Sequence, residues 1–228
     1  MYTFIITEVG FQEKSYEEIQ AHQSKISGGI SAAIKLQTKE SLEPGTLFLS
    51  ISSKCLEENF TNMEDLITNT IQSVRFDEKQ RILDLLNIFV ARNDESLNQN
   101  GHYLAMNSAA SPLNPLATTS FHLSGLQMIH RSKELISKIQ MDGDASYVIN
   151  ILKNIHSKVS NNPYKIFTAC SKDALDNQLK ELEVSPSRNE QQLINATQSQ
   201  IAWITGSQVC YCAQAFMGVS REHPDSAA

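Results

Sequence analysis

Residues 76–126 read FDEKQRILDLLNIFVARNDESLNQNGHYLAMNSAASPLNPLATTSFHLSGL, and this stretch decides the fold. Ile82, Leu85, Leu86, Phe89 and Val90 recur at i, i+3, i+4, i+7 and i+8, the apolar stripe of a long amphipathic helix. Asp77 is placed to cap that helix, with Gln80 three residues on in capping-box spacing. The composition then changes, and Gly101, Ala105, Ser108, Ala109 and Ala110 replace the bulky residues. Small side chains at helical spacing let another backbone come close, so a tightly packed helix layer is expected here. Pro112 and Pro115 end the run, and a new helix is expected after Asn114.

Working outward, Tyr2 to Val9 (YTFIITEV) is rich in β-branched and aromatic residues and predicts a strand ended by Gly10. Ser15 is the expected N-cap of a helix, SYEEIQAHQSKIS, with Glu17 and Glu18 in its first turn and Gly28-Gly29 as its stop. Ile30 to Gln37 and Thr46 to Ser53 predict two adjacent strands around a turn at Pro44-Gly45. Asn62 to Val74, Gly125 to Gln140 and Asp144 to Val159 predict helices, the last capped by Asp144. Tyr164 to Cys170 predicts a fourth strand and Asp173 to Leu182 another helix. After a polar linker running to about Ser199, Ile201 to Phe216 predicts a further strand. Helices in runs beside a small meander predict an α+β fold, an antiparallel sheet with a layer of helices on one face.

The 228 residues suit one large domain or two small ones, and 41 % hydrophobic residues supply a core. A net charge of -6, with no basic run, argues against a nucleic-acid partner. No apolar run approaches the length of a membrane span, and the opening MYTFIITEVG does not read as a signal peptide. The four cysteines, Cys55, Cys170, Cys210 and Cys212, make no CxxC spacing, which points to a reducing compartment such as the cytoplasm or an organelle matrix. On a strand, Cys210 and Cys212 would share one face, most simply as two small buried side chains; a soft-metal or redox pair is the competing reading.

The six histidines, His22, His102, His122, His130, His156 and His223, form neither HExxH nor HxxEH. Glu222-His223 would need a histidine where Val219 stands. His122 and His130 would face one another only if one helix spanned Ser124-Gly125, which the glycine opposes. His22 reads as solvated, and His102 as a structural side chain bonding across the helix layer. Adjacent carboxylates such as Glu17-Glu18, Glu57-Glu58 and Asp94-Glu95 do not face each other on a helix. No catalytic or metal residue is assigned, and no substrate-binding residue can be named.

Two stretches resemble one family. They are FIITEVGFQEKSYEEIQAHQSKISGGISAAI, Phe4 to Ile34, and the run from Arg81 to Ile129 containing SLNQNGHYLAMNSAASPLNPLATTSFHLSGLQMI. Together they resemble the C-terminal half of pitrilysin/insulinase-type zinc metallopeptidases, closest to the presequence-protease branch, from Tyr2 to about Ala215. The resemblance implies a repeated α+β domain, two per half, with the halves closing around a chamber that takes unstructured peptides. It implies that Zn2+ sits in the parent enzyme's N-terminal domain on an HxxEH helix with a downstream Glu. An Arg and a Tyr of the last domain would complete the active site beyond Ala228. Residues 1–195 are then expected to be a non-catalytic peptidase-family domain, and 196–228 the linker end and first strand of a following, truncated domain. The implied partners are the N-terminal half of the same enzyme and its peptide substrate, with self-association through the orphan strand and no nucleic acid or membrane. The alternative is a non-enzymatic structural or assembly subunit of the same fold, of the kind found in respiratory complexes.

Overall fold

The computed structural model describes residues 1–37, 46–162, 164, 166–171, 202–203 and 209–216. Capping chemistry sets the first long helix. Ser15 is the N-cap of α2 (Tyr16–Ile26): its hydroxyl accepts from the Glu18 amide, and the Glu18 carboxylate accepts the Ser15 amide at 2.8 Å. That reciprocal pair satisfies two of the donors a helix start leaves orphaned. Gly29, at φ +99°, turns the chain beyond the end of α2 at a value that suits a glycine.

The turn leads into β1 (Ile30–Gln37), which pairs antiparallel with β2 (Thr46–Ser53). Both strands keep the bounds their sequence predicts. The ladder is continued at its base by Gly28 N–H to the Lys54 carbonyl (2.8 Å) and Ser53 Oγ to the Gly29 carbonyl (2.9 Å). A 3₁₀ turn (Glu57–Asn59) then delivers the chain to α3 (Phe60–Gln72). Helices and hairpin meet in an apolar cluster of Phe11, Ile19, Ile26 and Leu66, with Ile30 of β1 against it. The result is an α+β fold in which helices pack on a small antiparallel sheet.

The described chain divides into two compact units. The first takes in Met1–Lys35, Leu49–Leu85 and the described residues from Asp144 to Ser171. Besides α2 and α3 it holds α1 (Tyr2–Ile6), the start of α4 (Lys79–Gln99) and α8 (Ser146–Ser160). Residues 10–14 are stitched to 73–75 by Gln12 N–H to the Ser73 carbonyl and Arg75 N–H to the Gly10 carbonyl. The second unit includes Leu86–Gly143 and described residues near the chain end. It holds the rest of α4, then α5 (Gly101–Ala110), α6 (Pro115–Ser124) and α7 (Leu126–Asp142). Asn114 caps α6 by accepting the Ala117 amide at 2.9 Å, with Pro115 at the first helical position. Leu104, Phe121, Leu126 and Ile129 form its apolar cluster, with Leu97, Met128 and Trp203 packed on it.

Several expectations are corrected. Tyr2–Ile6 is a helix, not the opening part of a strand: Tyr2, Ile5, Ile6 and Val9 are buried at i, i+3, i+4 and i+7, a helical face that outweighs β-branched propensity. Asp77 does not cap α4. Its carboxylate pairs with Arg75 at 2.8 and 2.9 Å, and Gln80 turns to Asp84 instead. At Gly101 the close neighbour is not a backbone but the ring of Tyr211. His102 is exposed and does not face the helix layer. Tyr164 and 166–170 have no strand partner among the described residues, nor do 209–216, and Cys210 and Cys212 are exposed rather than buried. The helix expected from Asp173 to Leu182, the polar linker after it and His223 lie outside the described residues.

Candidate functional site

The resemblance puts α2 where catalytic members of the family carry their zinc helix, so this helix is the first place to look for chemistry. Its inward positions are Ile19 and Ile26, closed by Phe11, Leu66 and Ile30. His22, half-buried, is its one histidine. A zinc site asks for three or four nitrogen, sulfur or oxygen donors around one point. An aliphatic inner face with a single imidazole does not supply them, and no group of three His, Cys, Asp or Glu among the described residues could hold a metal ion.

The polar groups around the start of α2 are engaged in holding the chain. Glu78, at the head of α4, accepts the Gly10 amide on one oxygen (2.8 Å) and the Tyr16 amide on the other (3.0 Å). A Cβ on Gly10 would run into the Lys14 carbonyl, so glycine keeps that approach open. Arg81, one helical turn further along α4, lies 4.3 Å above the Tyr16 ring and binds the Glu8 carboxylate at 2.9 Å and the Glu8 carbonyl at 3.0 Å. The Tyr16 hydroxyl donates to Glu17 at 3.1 Å, and that bond is the main reason its acidity is weakened. Each of these carboxylates satisfies an amide, an arginine or a hydroxyl. A general acid–base pair needs one carboxyl held protonated beside one held ionised, and nothing here drives two carboxyls apart in that way.

The remaining histidines are likewise separate. His156 on α8 has its Nδ1 3.0 Å from the Tyr2 hydroxyl and its ring edge-on to Phe76 at 5.5 Å. Burial lowers its pKa, and burial also pushes the Tyr2 hydroxyl up to about 12. His122 ends α6, where burial first and Arg131 second hold it below the ordinary histidine range. His130 lies on α7, 3.5 Å from Glu134, with its ring against Trp203 at 5.6 Å. Gly125 separates the two helices as its sequence position predicts, so His122 and His130 share no helix face.

What sequence reasoning missed is how the late residues of the second unit attach. Trp203 packs edge-on against Phe121 (6.3 Å) and His130. Tyr211 lies over Gly101, where a Cβ would stand 2.5 Å from Cδ2 and 2.8 Å from Cζ of the ring. The available signal was Gly101 itself, a glycine in the first turn of a helix, where it costs stability unless something needs the space.

Helices packed on a small antiparallel sheet, with a capped α2 whose inner face is aliphatic, define the class as an α+β domain of the metallopeptidase-associated kind. The family described as peptidase-associated, of metallopeptidase family 16 subfamily C, matches residues 1–135, and the chain belongs to that family. It is similar to the mitochondrial presequence protease of Danio rerio, 27 % identical over 137 residues that are 59 % of this chain and 13 % of the relative. It is similar also to the mitochondrial presequence proteases of Candida albicans (25 % identity; 66 % of this chain, 15 % of the relative) and Xenopus laevis (26 %; 70 % and 15 %). The chain therefore matches about a seventh of each relative's length.

Proposed function

We propose that this chain is a non-catalytic domain from the C-terminal half of a zinc metalloendopeptidase that degrades unstructured peptides in a closed chamber. It contributes chamber wall and contacts to the N-terminal half of the same enzyme, which holds the zinc. On this reading residues 1–195 form the domain, and 196–228 begin the one that follows. The observation that carries the reading is the family match over 1–135 together with presequence proteases as relatives. The aliphatic inner face of α2 supports it, because a helix in that position makes core here and leaves the metal to another domain. The relatives are named as mitochondrial, which supports an organelle matrix as the working place of the parent. No helix among the described residues is long and apolar enough to cross a membrane.

The test is cleavage of an unstructured peptide a few tens of residues long, with zinc supplied. The chain is assayed alone, and again with the N-terminal half and the following domain added in trans. Silence alone and zinc-dependent cleavage on complementation supports the proposal. Cleavage by the chain alone overturns it. Assembly of the pieces, seen by gel filtration, without any cleavage favours the structural-subunit alternative.

A further inference from the structure

Cys210 and Cys212 are both free and exposed, and they flank the residue that docks on the second unit. Tyr211 occupies the space left by the missing Cβ of Gly101, and its hydroxyl reaches the Asn98 carbonyl at 3.5 Å. The chain runs through 210–216 without turn or bend. Along such a chain, residues two apart are separated by roughly 6–7 Å. A disulfide requires its Cβ atoms to come within about 3.5–4.5 Å. The two thiols can therefore bond only if the backbone folds sharply at Tyr211, and a fold there draws the ring out of the Gly101 space.

We propose that Cys210-Tyr211-Cys212 is a dithiol modification site whose oxidation and whose docking through Tyr211 exclude each other. The oxidant is a small disulfide of the glutathione class. One cysteine, as thiolate, attacks a sulfur of the oxidant, forming a mixed disulfide and expelling one small thiolate. The other cysteine, as thiolate, attacks the protein sulfur of that mixed disulfide, forms the Cys210–Cys212 bond and expels the second small thiolate. The two protons lost by the cysteines are taken up by the two released thiols. The protein dithiol is oxidised by two electrons and the small disulfide is reduced by two. Because docking stabilises the dithiol form alone, it sets how oxidising the surroundings must be before the bond closes, and closing the bond frees this segment.

The experiment uses the full chain carrying Cys55→Ser and Cys170→Ser, so that two thiols remain. It is equilibrated in reduced and oxidised glutathione at set ratios, quenched with acid, alkylated and weighed by mass spectrometry. The expected product has lost two hydrogens and carries neither alkyl group nor glutathione. Tyr211→Ala removes the docked ring and is expected to move the midpoint about tenfold towards oxidation. In denaturing urea the two chains should titrate together, since nothing is docked. Gly101→Ala should act in the same direction as Tyr211→Ala if it folds, and Tyr211→Ala carries the test if it does not. Glutathione adducts without the internal bond at every ratio would overturn the proposal. So would an unchanged midpoint in Tyr211→Ala, or a shift of the same size in urea.

Discussion

Replacing Glu78 by alanine removes one carboxylate from two backbone amides at once. The Gly10 amide (2.8 Å) belongs to a buried residue; the Tyr16 amide (3.0 Å) is the first of α2 and close to solvent. Hydrogen bonds to an ionised partner contribute about 1.5–3 kcal/mol each, and a buried donor left without a partner costs about as much again. The Tyr16 amide recovers part of its loss by turning to water, and Glu78 is itself only half-buried. The expected cost of Glu78→Ala is therefore about 2–4 kcal/mol. Glu78→Gln keeps one acceptor and sets an amide nitrogen against the other N–H, for about 1–2 kcal/mol. Glu58→Ala, on an exposed site, should stay within about 0.5 kcal/mol. Urea unfolding gives the three numbers, and amide hydrogen exchange localises them: Gly10 and Tyr16 should exchange faster in Glu78→Ala than in the unaltered chain. If Glu78→Ala unfolds at the midpoint of Glu58→Ala, or if those two amides keep their protection, the clamp is not holding the start of α2.

Three further outcomes are expected. Gly101→Leu drives a side chain into the Tyr211 ring and should cost about 1–3 kcal/mol by overpacking, read as a lowered melting temperature. Ser15→Ala breaks both arms of the capping box and should cost about 1 kcal/mol in the same assay. Burial holds His156 below the ordinary histidine range, so the folded chain takes up fewer protons than the unfolded chain as pH falls through that range. Stability is then full above the unfolded value of about 6.5 and declines on acidification towards pH 5. His156→Phe, which keeps a ring beside Phe76, should flatten that decline in a pH series of urea midpoints; an unaltered slope would place the acid sensitivity elsewhere.

Local chemistry was legible wherever one short signal decided the structure. Ser15 with Glu18, the Gly28-Gly29 stop, the Asn114-Pro115 start and the two strands of the hairpin all stand where their residues predict. The misses came where a distant partner decided. YTFII has strand-like composition, but the unit offers it a helical docking surface, and the spacing of Tyr2, Ile5 and Ile6 was the signal to weigh. Asp77 had the right position for a cap, yet Arg75 two residues away gave it a stronger, bidentate partner. The Glu78 clamp reaches Gly10 across 68 residues, and no local pattern announces it. The 209–216 run has strand composition but no ladder partner among the described residues. For the candidate site, the missing HxxEH was readable as spelling, whereas the aliphatic inner face of α2 needed the packing around Leu66 and Ile30.

The bond between Tyr2 and His156 joins residues 154 apart in the chain. At ordinary rates of synthesis, about 5–20 residues per second, roughly 8–30 s pass between the making of one partner and the other. Throughout that interval Ile5, Ile6 and Val9, which end up buried, have no α8 to close the unit above them. The start of this domain is thus made early and finished late, and the nascent chain must carry an uncovered apolar helix past the ribosome for longer than most small domains take to fold.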